Sequence, residues 1–152
     1  LGKGVTPPEQ WPRHIGHEAR SVELVRALSD RIRVPADCRD LAVAVAREHG
    51  NVHRALELRP ATLVELLERV DAFRRPDRFE EFLQACESDF RGRPGYEDRP
   101  FPPPAYLRQA LDAAQAIDAA AVARTADPAR IRDAIFQART ASVAAWRARR
   151  DV

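Results

Sequence analysis

The sequence predicts an all-α protein, and three observations carry that expectation. Apolar residues recur every three or four positions through most of the 152 residues. No stretch alternates apolar and polar side chains at period two for long enough to form a strand. Clusters of proline and glycine punctuate the chain between its periodic stretches. Helices are therefore expected over about 17–33, 36–49, 62–73, 76–90, 104–117 and 128–149, with a short one after Asp118.

Residues 1–15 hold Gly2, Gly4, Pro7, Pro8 and Pro12, too much punctuation for regular structure, and read as a loop entering the first helix. That helix sets Ala19, Val22, Val25, Leu28 and Ile32 on one face and ends at Pro35. In the second, Leu41, Val43, Ala44 and Val45 form an apolar block wide enough to be mostly buried, and Gly50 reads as the C-terminal stop. Thr62 with Glu65 three residues on has the spacing of a capping box, ahead of Leu63, Leu66, Leu67 and Val70. Pro76 suits the first turn of a fourth helix, along which Phe79, Phe82, Leu83, Cys86 and Phe90 make an aromatic seam.

The run "RGRPGYEDRPFPPPA" cannot continue a helix and marks a hinge or long ordered loop at about 91–103. It divides the chain into residues 1–92 and a helical tail, 93–152. The tail is Ala-rich. Its last helix is capped by Asp127, starts with Pro128, and carries a narrow stripe of Ile131, Ile135, Ala138, Ser142, Ala145 and Trp146. Trp11 and Trp146 read as core residues rather than base-stacking surfaces.

Charged residues are 32% of the chain and the formal net charge is +2, so no global field favours nucleic acid and any such binding must be local. Arginine supplies the positive charge apart from Lys3, the one lysine. Cys38 and Cys86 lie far apart and form no CxxC unit, which predicts a reduced, cytoplasmic protein. No apolar run reaches membrane-spanning length, and with no methionine anywhere the start reads as that of a truncated chain.

Two histidine pairs, His14/His17 and His49/His53, are the residues best suited to chemistry. If the first two helices run antiparallel, the pairs meet at one corner with three or four imidazole nitrogens. Glu18 and Glu48 are the only acids beside them, few for a metal-assisted phosphate hydrolysis, so solvated or capping histidines are the alternative. Asp89, Arg91 and Arg93, in "SDFRGR", suit phosphate binding or a local ion-pair network. Arg139, Arg147 and Arg150 lie among the arginines of the last helix and suit an RNA backbone or a solvated basic face.

"LGKG", "GHE" at Gly16–Glu18, "EHGNVH", "DAFRRPDR" and "ESDFRGRPGYE" together resemble, in order and spacing, the second half of the bacterial multifunctional CCA proteins. These are tRNA nucleotidyltransferases with an HD-type phosphohydrolase domain. The resemblance implies a helical HD-like domain lacking its N-terminal portion, because in the family a His-Asp pair directly precedes Leu-Gly-Lys-Gly. It implies tRNA as substrate, ATP and CTP used by an absent N-terminal domain, and a divalent metal, magnesium or nickel, in the HD site. His17 and His49 match the family's metal-site histidines, and Lys3 the lysine beside its His-Asp motif, where it would screen a phosphate. Gly50 departs from the pattern, which has Asp after the second histidine. No Gly-Ser loop followed by paired Asp residues occurs in these 152 positions, so nucleotide transfer is not encoded in this chain. The other class of reading is a non-catalytic helical module that binds tRNA or braces a neighbouring domain.

Overall fold

The computed structural model describes residues 2–150, and all regular structure among them is helical. Seven α-helices follow in order: α1 (His17–Ile32), α2 (Ala36–His53), α3 (Pro60–Arg69), α4 (Pro76–Arg91), α5 (Pro103–Gln115), α6 (Ala119–Thr125) and α7 (Ile131–Arg150). Single 3-10 turns lie at Pro8–Gln10, Ala55–Glu57 and Pro128–Arg130. Among the described residues no helix is long and apolar enough to cross a membrane.

The chain forms two compact units. One holds the segment up to His53 together with Glu80–Arg99; the other holds Arg54–Phe79 and the chain from Pro100 onward. The boundary expected at residue 92 follows composition, whereas compactness follows which helices share a core, and that assignment interleaves the chain.

In the first unit α1 and α2 pack side by side. Arg33 ends α1 in the left-handed conformation, with φ 54°, two residues before Pro35. The apolar block of α2 is less buried than its width predicts: Leu41, Val43 and Val45 are all half-exposed, and Val52 and Glu48 are the residues of α2 that reach full burial. On α1, Val22 is buried as expected, but Leu28 and Ile32 are exposed. The aromatic seam of α4 is realised at Phe82, Leu83 and Cys86, all buried.

The second unit gathers α3, α5, α6 and α7, with α7 packed on each of the other three. Its core is made by Leu63, Val64, Leu66 and Leu67 of α3, Tyr106, Leu107, Ala110 and Ala114 of α5, and Val143 of α7. The expected α7 stripe shifts accordingly. Val143 is its fully buried residue and Ala145 is exposed, because α7 is covered from several sides and the buried line is set by its neighbours rather than by its own period. The capping box at Thr62 is not formed: α3 begins at Pro60 after an extended Arg59 with no side-chain cap, since proline's fixed φ starts the helix two residues earlier. Asp118 caps α6 by accepting from the Ala121 N–H, and Asp127 accepts from Ala129 N–H, each at 2.9 Å.

Candidate functional site

The first unit contains an open cleft of about 480 Å³. Its apolar wall is Val25 of α1, Leu41, Ala42, Val45 and Ala46 of α2, and Ala85 of α4, while Lys3, His17, Ser21, His49 and Asp89 supply polar groups. The incomplete burial of α1 and α2 is the other side of this fact: their facing apolar residues line a cleft instead of closing a core.

The glycine loop is tied down on α1. Gly2 N–H donates to Ser21 Oγ at 2.9 Å, and Arg20 reaches the Thr6 hydroxyl at 3.0 Å and the Ile15 carbonyl at 2.9 Å. A Cβ at Gly2 would overlap the His17 carbonyl oxygen, so only glycine lets the loop lie this close and bring Lys3 to the cleft. Gly16 begins α1 with φ 71°, a conformation natural to glycine, and so aims His17 into the site.

His17 and His49 stand with ring centroids 5.5 Å apart, nearly edge to face. His17 Nδ1 lies 3.0 Å from the His14 carbonyl and 3.2 Å from a Glu18 oxygen; His49 Nδ1 lies 3.1 Å from the Val45 carbonyl. A carbonyl oxygen only accepts, so both Nδ1 atoms carry a proton, and in the neutral ring each Nε2 presents a lone pair. His17 Nε2 is buried and has no hydrogen-bond partner. That is the arrangement in which a ligating imidazole is held by its far nitrogen. Among the described residues, however, no three His, Cys, Asp or Glu side chains stand close enough together to hold an ion.

The other candidates separate. His53 continues the histidine row, 6.2 Å from the His49 ring, and turns its Nε2 to Asp89 Oδ2 at 3.3 Å. Arg93 shares that carboxylate oxygen at 3.1 Å and approaches His53 Nε2 at 3.2 Å. Burial lowers the His53 pKa, and nearby Arg93 and His49 add to this against the opposing pull of Asp89. Desolvation raises that of Asp89, but the hydrogen bonds from His53 and Arg93 outweigh it and the carboxyl stays below its usual range. Arg91 points elsewhere: it pairs with Glu87 at 2.8 Å and donates to the Glu97 and Arg99 carbonyls, bracing the loop after α4. Tyr96 packs on Phe90 in this loop, with Arg99 over its ring. His14 contributes its carbonyl, while its own Nδ1 is buried without a partner.

Gly50 does not stop α2, which continues to His53. A Cβ at position 50 would come within 3.1 Å of Glu18 Oε1. The carboxylate of α1 therefore occupies the space into which a side chain there would project.

In the second unit Arg139 pairs with Glu68 at 3.2 Å and lies over the Phe73 ring. Arg147 donates to the Leu58 and Leu56 carbonyls at 2.6 and 2.8 Å. Arg150 reaches Gln109 at 2.9 Å and stacks near Tyr106 and Trp146. Trp146 is half-buried against Tyr106, whereas Trp11 is 61% exposed and its indole N–H donates to the Thr6 carbonyl. Sequence reasoning missed Ser21, although its spacing of four from His17 places it on the same helical face. It also took the cleft's apolar wall for core, and no local signal distinguishes the two.

The fold and site define a helical protein with a histidine-bearing cleft in one of its two units. The proteins it resembles narrow that class. It is 59% identical over 140 residues to the multifunctional CCA protein of Nitrosospira multiformis, covering 89% of this chain and 34% of that one. Identity is 58% over 146 residues to that of Burkholderia pseudomallei, covering 95% and 35%, and 62% over 123 residues to that of Nitrosomonas europaea, covering 81% and 30%. The chain is thus related to the multifunctional CCA proteins and spans about a third of the length of the relatives it matches. No family model and no solved structure matches it.

Proposed function

We propose that this chain is the C-terminal part of an enzyme that adds or repairs the 3′ CCA end of tRNA, and that its histidine cleft is a reduced HD-type phosphohydrolase site. The observation that carries the second half is the unpaired, buried Nε2 of His17 beside His49, each ring anchored through Nδ1. In this reading His17 and His49 hold a divalent ion, which when bound supplies Lewis acidity toward a phosphoester. Lys3 on the cleft wall and Arg93 just past the end of α4 bind the phosphate charge. Glu18 and the His14 carbonyl keep His17 in its Nδ1–H form. Two neutral imidazoles leave an ion short of negative ligands, so binding is expected to be weak and turnover slow.

Calorimetric titration with nickel and magnesium, paired with hydrolysis of a 2′,3′-cyclic nucleotide, tests this. Weak binding that disappears in His17→Ala and His49→Ala is the expected result. Binding indifferent to both substitutions would sink the metal-site reading.

For the second unit, the internal partners of Arg139 and Arg147 favour a bracing role for these two, with tRNA contact left to exposed groups such as Arg150. Replacing Arg150 by alanine should then flatten the salt dependence of tRNA binding by about one unit of logarithmic slope for each lost phosphate contact. An unchanged slope would assign Arg150 to bracing as well.

A further inference from the structure

We propose that the groove between α5 and α7 of the second unit is a binding site for one unpaired base of a single-stranded RNA, and that it selects a base carrying an exocyclic amine. The proposal rests on the tRNA reading of the second unit given above and adds a subsite with its own chemistry. The groove has a volume of about 330 Å³, within the range of small-ligand pockets. Gln109, Asp112, Ala113 and Ala116 line it from α5, and Trp146 and Arg149 from α7. The two alanines leave room for a flat ring beside the indole. The Ser142 hydroxyl donates to the Ala113 carbonyl at 2.6 Å, which ties the two helices together and fixes the width of the slot.

The polar groups of the groove are available to a ligand. Among the described residues the Asp112 carboxylate, the Trp146 indole N–H and the Arg149 guanidinium take part in no hydrogen bond or ion pair. Gln109 engages its carbonyl oxygen alone, accepting from Arg150 at 2.9 Å. Trp146 is nonetheless held in place: its ring packs on the buried Tyr106 with centroids 5.0 Å apart, so the indole is a fixed platform that loses little freedom when a base stacks on it. A carboxylate repels phosphate, and its presence in the slot favours a base edge over the RNA backbone. Asp112 would accept from an exocyclic amine, while the indole and Gln109 N–H groups serve ring nitrogen or carbonyl acceptors. Cytosine offers that amine. Uracil, of the same size, sets a carbonyl in its place and meets Asp112 acceptor to acceptor. Arg149 and Arg150, both exposed, supply charge for the flanking phosphates.

The test uses the whole chain with Trp11→Phe, which leaves Trp146 as the one indole, and follows its fluorescence during titration with hexamers of cytidylate or uridylate and with CMP. Saturable quenching by the cytidylate hexamer is expected, with an affinity about fivefold or more above that for the uridylate hexamer. Asp112→Ala should bring the two affinities together; the ratio is the readout, because removing a negative charge strengthens the binding of both. Should Trp11→Phe fail to fold, the same titration on the unsubstituted chain gives the answer, with the signal expected to vanish in Trp146→Phe. Equal quenching by the two hexamers, unchanged in Asp112→Ala, overturns the proposal. CMP binding as tightly as the cytidylate hexamer overturns RNA as the occupant. Labelled tRNA that binds with an Arg150-dependent salt slope while the hexamers leave Trp146 unquenched overturns the subsite and leaves the tRNA reading standing. Failure of tRNA and hexamers alike to bind overturns both.

Discussion

The proton on His17 Nδ1 is committed to the His14 carbonyl, and that bond converts a ring on a helix into a directed lone pair. His14 and His17 stand out in the sequence as two imidazoles, yet the structure uses one imidazole and one backbone oxygen, a distinction that residue types alone do not encode. Arg147 shows the same limit. Its guanidinium donates to two carbonyls beside the 3-10 turn at Ala55–Glu57, and a hydrogen bond from a charged group contributes about 1.5–3 kcal/mol where it is well buried. Partial exposure reduces this, so Arg147→Ala is expected to cost about 1–2 kcal/mol in a urea titration; a change near zero would return Arg147 to a solvated face. The cysteines differ in the same local way. Burial, with the charge of Asp89 adding to it, pushes the Cys86 thiol up to about 12, while Cys38 is exposed. A thiol reagent at mild alkaline pH should label Cys38 at once and Cys86 only when denaturant opens the fold. Two equally fast thiols would contradict the packing of α4.

Helix ends and interiors were legible to different degrees. Pro76 and Asp118 mark their helices correctly, because a fixed φ and a short carboxylate act on the neighbouring residues whatever surrounds them. Gly50 misleads, since glycine's preference for helix ends yields to the packing of α2 beside α1. A glycine inside a helix costs about 1 kcal/mol relative to alanine, and the obstacle at position 50 is the end of the flexible Glu18 side chain. Gly50→Ala is therefore expected to stabilise the protein by about 0.5 kcal/mol; loss of stability would mean that Glu18 cannot move aside. Gly16→Ala should do the reverse, since its φ of 71° costs an L-residue about 1–2 kcal/mol. Its denaturation midpoint should fall.

At the scale of the chain, two compact units are assembled from interleaved segments, so a reading that moves once along the sequence misses their grouping. Net charge behaves as expected of a near-neutral protein: with +2 over 152 residues, attraction to RNA depends on where guanidiniums are presented. The structure shows how many of them are already engaged. Arg20, Arg91, Arg139 and Arg147 all donate to carbonyls, hydroxyls or carboxylates of the protein itself. Far-ultraviolet circular dichroism should show a helical double minimum; a dominant β signal would contradict the fold.

Periodicity, proline and capping residues determined the all-α class and the order of the helices, because they act through backbone geometry within a turn or two of where they stand. The kinship with multifunctional CCA proteins was also legible, carried by short motifs such as "GHE" and "EHGNVH". What only the tertiary structure decided is which apolar faces close into core and which line a cleft, and which polar groups meet across helices. His53, Asp89 and Arg93 converge from positions 36 and 40 residues apart, and Glu18 fills the space before Gly50 from a different helix. Such contacts depend on how helices pack against one another, a three-dimensional constraint with no local trace in the order of residues.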